Sequence, residues 1–257
     1  MSAEFEFTAA IFDVDDTLLD NKPGVVGAGL HEKARLRAVH EIGQEHGILS
    51  LAELSAKDNL DAFLNAPVHT LQAGVWEILG LTGLASGDVI DQSNPLLLEI
   101  VERKSTYYTA ILLEEGEEVP GASKFVAQLV ANGLKGRLAI ASNAINSDII
   151  LFLEKSKLDQ YFPDQHIVTI EQITHPKPNP EIFNVAFERL GLSENDRSKT
   201  LAFEDDPRGI TAAKLAGLYV CAITTRFSRE ALETSKTPPD LIADSYTEFA
   251  ALLGLQV

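Results

Sequence analysis

Apolar and polar positions follow two different periods along this chain, and the change of period divides it. Ala9-Ala10-Ile11-Phe12 is a short continuous apolar run that ends in three carboxylates within four positions, Asp13, Asp15 and Asp16. A run of this kind reads as a buried strand that delivers charged groups to its C-terminal edge. Asn21-Lys22-Pro23-Gly24, followed by Gly27 and Gly29, then breaks any regular element and reads as a flexible hinge. From Leu30 to about Leu113 the spacing is helical, with segments predicted at His31 to His46, Leu51 to Leu64, Thr70 to Leu81 and Pro95 to Leu113. Gly47 is a natural stop for the first of these, and Pro67, Gly83, Gly87 and Pro95 punctuate the rest.

The acidic run Glu114 to Glu118 marks the return to a second regime that starts at Val119-Pro120-Gly121. A helix with Phe125, Val126, Leu129 and Val130 on one face ends at Asn132-Gly133, and Arg137 to Ala141 is a strand that runs straight into Ser142-Asn143. Ser147-Asp148 is predicted to cap the next helix; His166 to Ile170 is a strand; Asn179-Pro180 opens a helix that Gly191 closes. Thr200 to Phe203, Tyr219 to Ile223 and Leu241 to Ala243 complete the strands, with an Asp206-Pro207 helix start between the first two and Gly217 at its end. Strand and helix alternating at close intervals predict an α/β fold with a doubly wound, Rossmann-like parallel sheet. The all-helical part, residues 20–115, is then an inserted domain between residues 1–19 and 116–257 of the sheet core.

Composition adds limits. The 257 residues are 45% hydrophobic and 23% charged, ordinary values for a folded protein with ample core. A formal net charge of −17 with no basic stripe argues against nucleic acid and anionic membrane as partners. The single cysteine, Cys221, excludes an internal disulfide and sits in an apolar run as a small hydrophobe. The first eight residues hold two Glu and no basic residue, unlike a secretory signal, so the expected location is cytoplasmic and the expected state a monomer.

In a doubly wound sheet, ligands bind outside the carboxyl ends of the strands. Applied here, that rule gathers Asp13 and Asp15, Ser142-Asn143, Lys177 in the loop after the third strand, and Glu204-Asp205-Asp206 on one rim. Alternation along an extended chain puts Asp13 and Asp15 on one side and Asp16 on the other. Neighbouring carboxylates want a cation, and an oxygen-only set suits Mg²⁺. A calcium-binding loop fails on spacing, since Leu18 and Gly24 stand where its glycine and bidentate Glu belong. Gly27 and Gly29 make no dinucleotide fingerprint, because Glu32 takes the place of the third glycine. Asp206, directly before a proline, reads as an N-cap, which leaves Glu204 and Asp205 as the metal-directed pair.

These motifs, Asp13-Val14-Asp15-Asp16-Thr17, Ser142, Lys177-Pro178-Asn179-Pro180-Glu181-Ile182-Phe183 and Phe203-Glu204-Asp205-Asp206-Pro207-Arg208-Gly209-Ile210, resemble the four signatures of haloacid dehalogenase superfamily phosphohydrolases. The helical insert resembles the cap of the branch that includes beta-phosphoglucomutase and phosphoglycolate phosphatase. One departure is Asp16, where glycine is commoner. The resemblance implies that Asp13 attacks phosphorus to form an aspartyl-phosphate, and that Asp15 protonates the leaving oxygen and then activates water. It implies Mg²⁺ held by Asp13, the Asp15 carbonyl, Asp205 and Glu204, a phosphoryl group bound by Ser142, the Asn143 amide and Lys177, and Thr17 holding the first loop. The substrate would be a small phosphorylated metabolite such as a sugar phosphate, a nucleotide or phosphoglycolate.

Two other readings stay open. A sugar phosphomutase would use the same core with basic groups on the cap to grip a second phosphate, and His31 and Arg35, at i, i+4 spacing on the first helix beside Lys33 and Arg37, are the candidates. A non-catalytic binding module on the same scaffold is the other, weighed against every chemical position being filled. Asp15 argues against a metal-free dehalogenase. Trp76 and the run Ala66-Pro67-Val68-His69-Thr70 line either the substrate cleft or the cap core, and core is the ordinary place for a tryptophan.

Overall fold

The structure, a computed structural model, describes residues 6–22, 26–67 and 70–255. Pro23 and Gly24 of the expected hinge, and Val68 and His69, lie outside the described residues. The chain divides into two compact units, one formed by Asn21–Gly116 and the other by the segments on either side.

The second unit is built on a six-stranded sheet. Its strands are β1 (Ala9–Phe12), β4 (Leu138–Ser142), β5 (Ile167–Thr169), β6 (Thr200–Glu204), β7 (Tyr219–Ile223) and β8 (Leu241–Ala243), in the order β5-β4-β1-β6-β7-β8. Every neighbouring pair is parallel, with Phe12 level with Ile140 on one side and with Phe203 on the other. The chain builds outward from β1 to one edge, then returns to β1's other side, so the order reverses between β1 and β6. That switch point is where such sheets leave a crevice for a ligand.

Both faces are covered. Ile11, Ala139, Val168, Ala202 and Val220 pack against α8 (Glu181–Arg189) and α9 (Pro207–Leu215), while Phe12 and Phe203 stack at 4.5 Å on the opposite face. There Phe203 meets Phe125 of α6 (Ala122–Leu129) and Phe249 of α11 (Tyr246–Leu252) edge-on at 5.2 and 5.3 Å. The remaining α-helices of this unit among the described residues are α7 (Asn146–Ser156) and α10 (Arg229–Glu233). Strands buried on both sides explain why the sequence shows apolar runs without alternation.

Two helix starts differ from expectation and one agrees. The Asp206 carboxylate caps α9 as predicted, accepting from Arg208 N at 2.8 Å. Helix α7, by contrast, starts at Asn146 and takes Ser147 and Asp148 into its first turn; its leading N–H donates to Glu171 Oε2 at 2.6 Å. A distant carboxylate has replaced the local cap. Helix α8 begins one residue later than expected, although Asn179 Oδ1 still accepts its first N–H at 3.0 Å.

Two further strands escape the sequence patterns. β2 (Leu19–Asp20) pairs antiparallel with β3 (Glu117–Glu118), directly before and after the other unit. At two residues each they are too short to show a period.

The helical unit holds α1 (Leu30–His46), α2 (Leu49–Ala52), α3 (Ala56–Asn65), α4 (Leu71–Leu81) and α5 (Pro95–Glu115). Gly47 ends α1 in the left-handed region at φ 67°, as a C-terminal glycine does. The single helix expected over 51–64 is two, because Ser55 caps a new start by accepting from Asp58 N at 3.0 Å. A side chain on Gly43 would strike Ala52 N at 2.3 Å, so only glycine lets α1 and α2 approach this closely. Trp76 lies in the unit's apolar core with Val39, Ile42, Leu79 and Ile100, and donates to Gly87 O. Among the described residues no helix is long and apolar enough to cross a membrane.

Candidate active site

The register of the central strands dictates which groups meet. With Phe12 opposite Phe203, the next positions are Asp13, directly after β1, and Glu204, the last residue of β6, and Asp13 N donates to Phe203 O at 3.0 Å. Asp205 follows. One oxygen from each of Asp13, Glu204 and Asp205 lies within 4.8 Å of the others. Lys177 arrives from the loop between β5 and α8 and sets Nζ 2.6 Å from Asp13 Oδ1 and 2.6 Å from Glu204 Oε1. All four residues are buried.

One ammonium against three carboxylates leaves excess negative charge in a largely buried place. Burial pushes the Asp13 and Asp205 carboxyls well above the ordinary range, and raises Glu204 as well. Lys177 opposes this for Asp13 and Glu204, whereas Asp205 gains further upward pressure from Asp16 and Glu204. Asp205 Oδ2 is buried with no hydrogen-bond partner, while Oδ1 accepts only a long 3.4 Å bond from Thr17. An orphaned, desolvated carboxylate oxygen beside other carboxylates fits a hard divalent cation, which can be bound here. Glu204 is more committed: Oε1 faces Lys177 and Oε2 accepts from Asp205 N and Asp206 N at 3.2 and 3.4 Å.

The other rim members come from neighbouring strand ends. Ser142 closes β4, buried, two residues past the Phe12–Ile140 pair, and its Oγ accepts from Ala144 N at 3.2 Å. Asn143 Oδ1 is buried without a partner. The loop that brings Lys177 is shaped by Glu181, whose two oxygens accept from Thr174 N at 2.8 Å and His175 N at 2.9 Å.

The extended alternation expected for Asp13 to Asp16 does not persist, because β1 stops at Phe12. The chain turns instead: Thr17, Leu18 and Leu19 all donate to Val14 O, and Asp16 adopts φ 59°. A left-handed residue here explains why glycine suits the position and why aspartate, the side chain most tolerant of that region besides asparagine, replaces it. Asp15 stays close enough to Asp13 to raise its carboxyl.

The helical unit treats its basic residues differently from expectation. Arg35 is buried with Nε 2.7 Å from Asn59 Oδ1 and Nη2 3.1 Å from Asn59 O, over the Phe63 ring. Burial lowers its pKa to about 10. These contacts account for the guanidinium inside this unit, so sharing a helix face with His31 did not give it the same surroundings. Lys33 pairs with Glu115, and Arg37 with Glu41. His31 stacks on Tyr108 at 4.0 Å and has Nδ1 2.9 Å from Lys104 Nζ. Lys104 was not marked by any sequence motif, being one charge among many on a long helix. Cys221 is buried and its thiol is pushed well up by desolvation, as suits a core residue.

Comparison with known proteins agrees in family. The chain is 26% identical over 211 residues to a phosphorylated carbohydrates phosphatase of Thermotoga maritima, covering 82% of each chain. It is 31% identical over 140 residues to a Drosophila melanogaster protein named as a probable pseudouridine-5'-phosphatase, a match spanning 53% of this chain and 59% of that one. In fold it resembles a HAD hydrolase of family IA, variant 3, from Entamoeba histolytica, with TM-score 0.71, 23% identity and 94% of both chains covered. The sequence profile described as haloacid dehalogenase-like hydrolase matches residues 7–217. A match of that extent makes this chain a member of the haloacid dehalogenase-like hydrolase family.

Proposed function

We propose that the protein is a Mg²⁺-dependent phosphatase that hydrolyses small phosphate monoesters through an aspartyl-phosphate on Asp13. The observation that carries this reading is the Asp13–Lys177–Glu204 bridge beside the orphaned oxygen of Asp205. Asp13 and Asp205 would hold the ion with the Asp15 carbonyl, and Glu204 would support it from the Lys177 side. When bound, the ion neutralises phosphoryl oxygens and keeps Asp13 ionised where burial alone would protonate it.

Asp13 then attacks phosphorus, the ester P–O bond breaks, and Asp15 gives its proton to the leaving oxygen. Water attacks the aspartyl-phosphate in the second step, Asp15 takes its proton, and inorganic phosphate leaves with Asp13 restored. Lys177, the Ser142 hydroxyl and the Asn143 N–H stabilise the charge on the transferred group, while Thr17 steadies the turn beside Asp205. The resemblance implies that the helical unit would select the substrate. Sugar phosphates and nucleoside monophosphates are the substrate classes favoured by the names of the relatives.

A mutase needs cations available for a second phosphate. Arg35, one of the two candidates for such a grip, is buried against Asn59, which favours the phosphatase reading. Phosphate release from p-nitrophenyl phosphate and from a panel of phosphometabolites, with Mg²⁺ and with it chelated, tests the proposal. Activity that needs the ion and disappears in Asp13→Asn supports it; metal-independent activity, or none, defeats it. Interconversion of glucose phosphates with a bisphosphate activator would favour the mutase.

A further inference from the structure

The turn between β1 and β2 satisfies the N–H groups of Asp16 to Leu19 internally, whereas the carbonyls of Asp16, Thr17 and Leu18 accept from outside it. Thr17, Leu18 and Leu19 donate to Val14 O at 3.2, 2.8 and 2.8 Å, and Asp16 N donates to Leu19 O at 2.7 Å. Leu18 O receives Val119 N at 2.8 Å as β2 and β3 come together. The consecutive carbonyls of Asp16 and Thr17 are met by side-chain hydroxyls from the far end of the chain. Thr225 Oγ1, just past β7, donates to Asp16 O at 2.5 Å, and Tyr246 Oη, at the start of α11, donates to Thr17 O at 2.8 Å.

The tyrosine donor is held in place. The Tyr246 ring is buried between Phe125 at 4.9 Å and Phe249 at 6.0 Å, and Ser245 caps the helix that carries it. Packing alone would be satisfied by phenylalanine; the buried hydroxyl is useful only because a carbonyl awaits it. Burial pushes the phenol well above its ordinary value, so it remains a donor throughout the working pH range. Thr17 joins the clamp to the carboxylate cluster, since its carbonyl is held by Tyr246 while its Oγ1 reaches Asp205. Asp15 lies one residue before the first clamped carbonyl.

We infer that Tyr246 and Thr225 are positioning residues: their hydroxyls lock the Asp16 and Thr17 carbonyls and so fix Asp15 relative to Asp13 for proton transfer. The inference rests on the phosphatase reading for its kinetic consequence and on the hydrogen bonds alone for its structural one. Proton transfer demands fixed geometry, and small displacements of an acid–base group are costly in rate.

The test compares full-length Tyr246→Phe, Thr225→Val and Thr225→Ser with the unaltered protein. Turnover of p-nitrophenyl phosphate with Mg²⁺ should fall about tenfold in Tyr246→Phe and in Thr225→Val, with KM within about twofold, and Thr225→Ser should regain most of the loss. Hydrogen–deuterium exchange at the amides of residues 16–19 should speed up about tenfold in the first two variants and not in the third. Turnover within about twofold of the unaltered protein in both hydroxyl-free variants, or equal losses in Thr225→Val and Thr225→Ser, would overturn the inference. So would unchanged exchange. If the unaltered protein releases no phosphate, the phosphatase reading falls while the exchange result still decides whether the clamp exists. Should Tyr246→Phe fail to fold, the Thr225 pair decides.

Discussion

Lys177 Nζ stands 2.6 Å from Asp13 Oδ1 in largely buried surroundings, and the same ammonium makes an equal contact with Glu204. Removing it strands two like charges. Lys177→Met should therefore lower the stability of the metal-free protein by about 3–5 kcal/mol in urea unfolding near neutral pH. Part of that loss should return on mild acidification, when Asp13 or Glu204 takes up a proton. Phosphatase turnover should fall by about a hundredfold or more, because the transferred group loses its buried cation.

The raised carboxyls predict how the metal-free protein responds to pH. Asp13, Glu204 and Asp205 hold protons in the folded state to higher pH than in the unfolded chain. Their contribution is complete below the ordinary carboxylate range of about 4 and is lost as pH rises through the raised native values. With a chelator present, unfolding free energy should fall as pH rises above the ordinary carboxylate range of about 4, and Asp205→Asn should flatten the slope. Added Mg²⁺ should stabilise more at the higher pH, where the carboxylates are free of protons. A slope of opposite sign in urea titrations would contradict the assignment.

Gly209, the third residue of α9, has no room for a methyl group. A Cβ there would lie 1.9 Å from Glu204 Oε1 and 2.0 Å from its Cδ. Alanine normally gains about 1 kcal/mol over glycine in a helix, yet here overlap with a side chain locked to Lys177 should dominate, for a net loss of about 1–3 kcal/mol. Gly209→Ala should also reduce Mg²⁺-dependent turnover at least about tenfold by displacing Glu204. Thermal unfolding and an Mg²⁺ titration of activity check the two halves separately.

Arg35 and Asn59 are expected to behave as one unit. In a double-mutant cycle of Arg35→Met and Asn59→Ala, the paired change should cost about 1–3 kcal/mol less than the sum of the singles. Additive losses would mean that each side chain is held by something else.

What the chain announced in advance, and what it hid, follows from the range of the interactions. Apolar runs such as Ala139-Ile140-Ala141 predict strands because both sheet faces are covered, and polar residues at their ends predict a rim. Asp13, Lys177, Glu204 and Asp205 could be gathered that way, and these side chains do lie together. Features set by a distant partner could not. The start of α7 moves because Glu171 supplies its cap, Arg35 turns inward because Asn59 lies 24 residues away, and Tyr246 and Thr225 reach a turn more than 200 residues upstream. Nothing in the local pattern around any of them carries that information.

The short β2–β3 pair holds Leu19 beside Glu118 and Asp20 beside Glu117. The polypeptide thus departs from the sheet unit and comes back to it through adjacent backbone positions. In gene terms, the intervening segment is a graft whose two seams already touch, and a tight reverse turn from Asp20 to Glu117 would close the gap without altering the spacing of the parallel strands. A lineage could exchange or shed that segment while leaving the register of the sheet's parallel strands as it is.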